Sequence, residues 1–199
     1  MMIGRPLQVR ALAGATLGVI AALAFVPPLW SQTKGDSTSS ADAFDTIARV
    51  MASPRCQNCH TLTDFPRQGD DRHRHMFHVK RGPADDGAAG LPCSTCHGRS
   101  NNAASGVPGA NDEWQLAPLT MGWDGLSQHE LCEHLKDPQH NGNRNGGQVI
   151  DHLRSALVRW AWSPGVDRTG KTRTTPPVPY EEFTKDAESW MRSGAACPK

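Results

Sequence analysis

The chain is short of apolar material for its length: 37% of its 199 residues are hydrophobic and 6% aromatic, and the mean hydropathy is −0.54. A core of side chains alone is thin at that composition, so the chain is expected to need staples, whether disulfides, metals or a bulky cofactor. An excess of one charge sign is also missing. A formal net charge of +1 leaves no basic footprint for nucleic acid, and no nucleic-acid partner is expected. Strand-like alternation and internal repeats of useful length are absent as well, which points to a mainly helical, irregular fold. What the chain does have is 19 glycines and 15 prolines, which put much of it into loops, and six cysteines.

Its first ten residues carry Arg5 and Arg10 and no acid, and residues 11–30 contain no charged side chain. That pattern is an export signal. Ala22-Leu23-Ala24 resembles a small-x-small cleavage site but lies inside the apolar run, so two outcomes stay open. Residues 1–30 are either a removed signal peptide or an N-terminal anchor in the inner membrane, and a membrane is a partner only if they are retained. Either way the rest of the chain faces the oxidising, periplasmic side.

Residues 31–41 read as a polar, low-complexity linker. Beyond it, Phe44, Ile47, Val50 and Met51 recur at helical spacing over 43–53, and Pro54 stops that helix just before Cys56. Little periodicity is sustained over 57–126, which is expected to be mostly loop with short helical turns. Ser127 and Glu130 form a capping box opening a helix that buries Leu131, Cys132 and Leu135 and ends near Asp137-Pro138. A turn-rich connector covers 141–147. Two further helices are expected over 148–162, with Val149, Leu153, Ala156, Leu157 and Trp160 on one stripe, and over 180–192.

Cys56-Gln-Asn-Cys59-His60 and Cys93-Ser-Thr-Cys96-His97 are two copies of the C-x-x-C-H signature of covalent c-type haem. Two thiols three residues apart can reach the two vinyl groups of one porphyrin, and the next residue then sets an imidazole beneath the iron. Cys56, Cys59, Cys93 and Cys96 are thus expected to hold two haems c, with His60 and His97 as proximal ligands. Paired C-x-x-C motifs also suit a four-cysteine zinc site, but a histidine directly after both pairs, in an exported chain, selects haem. Cys132 and Cys197 remain. In an oxidising compartment they are expected to form a disulfide; the alternative is two independent buried thiols.

For the sixth coordination position the chain offers more histidines than two irons can use. His73, His75, Met76 and His78 crowd between the haem motifs, and His75 is the expected ligand there, with His73 the alternate. His152 flanks the apolar stripe of its helix and is the expected ligand of the other iron, with the loop residue Met121 as alternate. His129, His134 and His140 read as solvated. Asp70-Asp71, Asp85-Asp86 and Glu181-Glu182 read as solvated charges rather than acid/base pairs, and Trp160, Trp162 and Trp190 as core or haem packing.

From Pro54 to Pro198 the chain resembles the small exported di-haem c-type cytochromes, among them chains labelled isoquinoline 1-oxidoreductase subunits. Besides the haem motifs, the likeness rests on Pro54-Arg55, Gln68-Gly-Asp-Asp71, His73-x-His75, Arg81-Gly-Pro83 and Leu116-Ala-Pro118 with Met121 and Trp123. It continues through Asp137-Pro138, His152, Trp160-Ala-Trp-Ser-Pro-Gly165 and Gly194-Ala-Ala-Cys-Pro198. His78 departs from the pattern, which has a non-ligating residue there. The resemblance implies a redox-protein partner, namely a molybdenum-containing dehydrogenase. The expected fold class is therefore mainly α, a loop-rich di-haem cytochrome c domain over 42–199 with short helices packed round two covalently bound haems.

The expected function is electron transfer, with no enzymatic activity of the chain's own. A di-haem peroxidase-like enzyme needs one open iron site, is normally longer and is built as two similar halves, and a haem-based sensor needs an output domain. Neither a duplication nor such a domain is visible.

Overall fold

A computed structural model describes residues 36–110 and 114–199. The export segment 1–30 and the first part of the linker lie outside the described residues. Six α-helices order the described residues: α1 Asp36–Met51, α2 Pro54–Gln57, α3 Gln128–Lys136, α4 Gly146–Leu153, α5 Ala156–Arg159 and α6 Tyr180–Arg192. No helix among the described residues is long and apolar enough to cross a membrane.

The main packing is α1 against α6, with α3 and α4 closing the sides. The apolar spacing of α1 buries Phe44, Ile47 and Val50 completely, and α6 answers with Phe183, Ala187 and Trp190. Each such large side chain contributes about 2 kcal/mol of burial. The Trp190 ring lies 5.2 Å from that of Phe44, and its indole N–H is satisfied by the Ala196 carbonyl. Two more joints fix the C-terminal tail here. Ser40 Oγ accepts from Ala196 N–H, and Cys132, fully buried in α3, is bonded to Cys197 across 65 residues.

Three local outcomes differ from the sequence expectation. Helix α1 starts at Asp36, inside the segment expected to be linker, because Ser40 is bound to the tail rather than to solvent. The single helix expected over 148–162 is three pieces, α4, α5 and a 3-10 turn Trp160–Trp162. Ser155 breaks it by turning its hydroxyl to the Val158 N–H and capping a new start. Two hairpins also interrupt the loop region: β1 (Arg67–Gln68) pairs with β2 (His73–Arg74), and β3 (Gly87–Ala88) with β4 (Leu91–Pro92). The capping box at Ser127 forms as its spacing requires, and Asn145 with Gln148 forms another at α4.

The long loop from motif to motif is tied from within by Arg81, which is 6% exposed. Its guanidinium donates to the carbonyls of Thr61, Thr63 and Ala117 and pairs with Asp85. One buried cation thus gathers three loop strands whose carbonyls have no sheet to satisfy them.

Candidate functional site

Both C-x-x-C-H motifs adopt the same turn. In the first, α2 is capped by Ser53, and the His60 N–H returns to the Cys56 carbonyl at 3.1 Å; in the second, His97 N–H returns to Cys93 at 3.0 Å. One helical turn therefore presents two thiols and an imidazole in sequence. All four motif thiols are free of disulfides. Burial pushes the Cys56 thiol up to about 12, helped by Cys59 and opposed by Arg55. Cys59 is raised to about 11 by burial, against the Arg55 charge, with Cys93 adding to the rise. Since Cys93 belongs to the second motif, the two motifs lie close enough for charge on one to act on the other.

The two motif histidines are held alike. His60 Nδ1 donates to the Met121 carbonyl at 2.9 Å, and its ring stacks on Trp123 with centroids 3.5 Å apart and 9° between planes. His97 Nδ1 donates to the Pro108 carbonyl at 2.8 Å and stacks on Trp114 at 4.1 Å and 12°. A carbonyl can only accept, so the proton sits on Nδ1 and the lone pair is left on Nε2, the tautomer a metal ligand needs. Burial also keeps both rings neutral. It lowers His60 to about 3, the Met121 hydrogen bond opposing, with His152 and Arg144 lowering it further. His97 is lowered by burial, opposed by the Pro108 hydrogen bond, with His75 adding to the fall.

Each motif histidine thus has a second histidine within electrostatic reach. His75 stands at the start of a 3-10 turn Met76–His78; its ring centroid lies 6.1 Å from that of His97, and its Nδ1 is engaged by the Met76 carbonyl at 2.9 Å. His152, in the last turn of α4, is lowered to about 4 by burial and then by Arg144, and it is the histidine that acts on His60.

The alternates are placed differently. His73 is tied to the Asp71 carboxylate at 2.5 Å with its side chain 48% exposed. Met121 is buried, offers its carbonyl to His60 on the Nδ1 side, and its sulfur lies 3.2 Å from where a Cβ on Gly142 would stand. His78 is exposed, with φ at 52°. Among the histidines expected to be solvated, His129 Nδ1 donates to the Pro198 carbonyl at 2.7 Å, while His134 and His140 stack at 4.3 Å. Trp162 and Trp190 belong to the core, and Trp160 donates to the Gly106 carbonyl.

Among the described residues no three His, Cys, Asp or Glu side chains converge as a chelating cluster, so the four motif cysteines do not meet round one ion. The donor set instead fits two haems c: paired thiols free of disulfides, an adjacent imidazole with its Nε2 lone pair free and, at the second motif, the His75 ring beside that of His97. The surroundings are unequal. Cys96 is exposed where Cys56 and Cys59 are half-buried, and a cavity of about 540 Å³ opens beside Cys96, lined also by Asn101, Asn102, Ser105 and Val107.

Sequence reasoning did not single out the roles of Trp114, Arg72, Asp124 or Asn58. Trp123 enters the sequence reading only through the family resemblance. Comparison with protein-family models, with curated proteins and with solved structures found no match for this chain.

Proposed function

We propose that this protein is an exported electron-transfer protein that carries two covalent haems c and has no enzymatic activity of its own. The observation that carries the reading is the matched pair of settings: each motif histidine is locked at Nδ1 by a backbone carbonyl and stacked on a tryptophan. Haem c, when bound, supplies an iron that cycles between ferric and ferrous states one electron at a time.

The chain's own residues do the rest. Cys56 and Cys59 attach the first group and Cys93 and Cys96 the second. His60 with His152 and His97 with His75 would hold the two groups, in preference to Met121 and His73. A pair of histidines for each group would favour transfer over a peroxidase-like role. Rigid, preformed ligands keep reorganisation small when the charge changes. The first motif is half-buried beside the helical core, whereas the exposed rim at Cys96 offers an edge where a redox partner can dock. A periplasmic dehydrogenase of the molybdenum-containing kind is the proposed partner, by the resemblance.

The test is attachment. The exported chain should exceed its polypeptide mass by two haems, and Cys56→Ser with Cys59→Ser should remove one of them. A chain that gains no haem, or loses none in that variant, refutes the reading.

A further inference from the structure

The hairpin that delivers His75 to the second motif is fastened to the first. Its anchors are Gln57 and Asn58, the two residues between the cysteines of motif one. The Arg67 N–H donates to the Asn58 carbonyl at 2.9 Å, and Asn58 Nδ2 donates to the Gly69 carbonyl at 2.9 Å. Arg72, from the hairpin turn, donates through Nη1 to Gln57 Oε1 at 2.7 Å and through Nη2 to the Gln57 carbonyl at 3.2 Å. The same Nη2 pairs with Asp124 at 2.5 Å. Asp124 in turn accepts from Thr61 Oγ1 at 3.0 Å and from Leu62 N–H at 2.8 Å, so the clamp also grips the chain leaving His60.

Arg72 holds this place at a backbone cost. Its φ is 54°, in the left-handed region that disfavours any residue with a Cβ. Glycine would occupy the turn more comfortably, yet only a guanidinium can reach Gln57 and Asp124 together. One residue beyond the paired strand lies His75, whose N–H bonds back to the Pro66 carbonyl at 3.1 Å. The His75 side chain bonds to its own neighbour, the Met76 carbonyl; its position is inherited from the hairpin.

We infer that Arg72, Asn58 and Gln57 are positioning residues for the sixth ligand of the second haem, although they surround the attachment site of the first. This rests on the ligand reading above and goes beyond it, because it makes the first motif the foundation on which the second iron's coordination is built. The perturbation should therefore cross over: damage at motif one's intervening residues is felt at the iron held by His97 and His75.

The experiment uses carbon monoxide, titrated into the dithionite-reduced holoprotein, with His75→Ala and His152→Ala as the reference signatures for the second and first irons. The parent should bind none. Arg72→Gly keeps the turn and removes the guanidinium; Asn58→Ala removes the Gly69 tie by an independent route. Both should retain two haems, bind up to one carbon monoxide per chain, and reproduce the spectrum and potential shift of His75→Ala. Arg72→Lys, which can keep one of the two bonds, should fall between. A signature matching His152→Ala, binding at both irons, or no binding in either variant while His75→Ala does bind, overturns this inference alone. If His75→Ala binds none, the ligand assignment fails and the inference falls with it.

Discussion

Removing the disulfide tests the joint between α3 and the C-terminal tail. Cys132→Ala with Cys197→Ala avoids placing a hydroxyl in the core, where Cys132 is fully buried. The bond closes a loop with a sequence separation of 65, and on the chain-entropy argument its loss frees the denatured chain by about 4 kcal/mol. The folded tail should barely move, since Trp190 Nε1 to Ala196, Ala196 to Ser40 and His129 to Pro198 still hold it. At about 2 to 4 °C per kcal/mol for a domain of this size, the midpoint should fall by roughly 8 to 16 °C. Thermal and denaturant unfolding of the holoprotein, with and without the pair, measures this directly. A loss under about 1 kcal/mol would refute the reasoning and mean that the tail, not the bond, carries the joint.

Three further outcomes are expected. Trp123, 6% exposed, should cost about 3 to 5 kcal/mol as Trp123→Ala; a denaturant midpoint unchanged from the parent would contradict the stack on His60. The Asp124 carboxyl is partly desolvated, which alone would raise it, but hydrogen bonds from Arg72, Leu62 and Thr61 bring it below the ordinary range. Its stabilisation is thus present above the unfolded carboxyl's pKa, about 4, and is lost as pH falls through the lower folded value. Asp124→Asn should flatten that acid limb of the stability curve, and an unaltered limb would contradict it. Finally, the haem at the enclosed first motif should titrate at a higher potential than that at the exposed second, because burial disfavours the more charged ferric form; a redox titration in which His75→Ala moves the upper wave reverses the assignment.

The parts of this molecule that could be read from sequence are those whose physics is local. The C-x-x-C-H spacing, the Ser127 capping box and the apolar stripe of α6 each need only a turn or two of chain to be recognised. The start of α1 was hidden because Ser40 looks like linker until the tail at Ala196 arrives to bond it. Strands of two residues cannot show alternation, so the hairpin that carries His73 and leads to His75 left no signal. The tryptophans that brace the motif histidines are just as distant in sequence. Trp123 meets His60 across the whole inter-motif loop, and nothing periodic marks the encounter. His75 is preferred to His73 on the sequence alone, but both sit on one short segment, and the fold adds that one ring turns towards His97 and the other to Asp71.

The central claim is that each motif histidine shares an iron with a second histidine, and low-temperature electron paramagnetic resonance of the oxidised holoprotein tests it most directly. Two low-spin ferric signals of bis-histidine character, with no high-spin component, are the expected result. A high-spin signal from either iron, or a His/Met signature that disappears in Met121→Ala, would contradict the account.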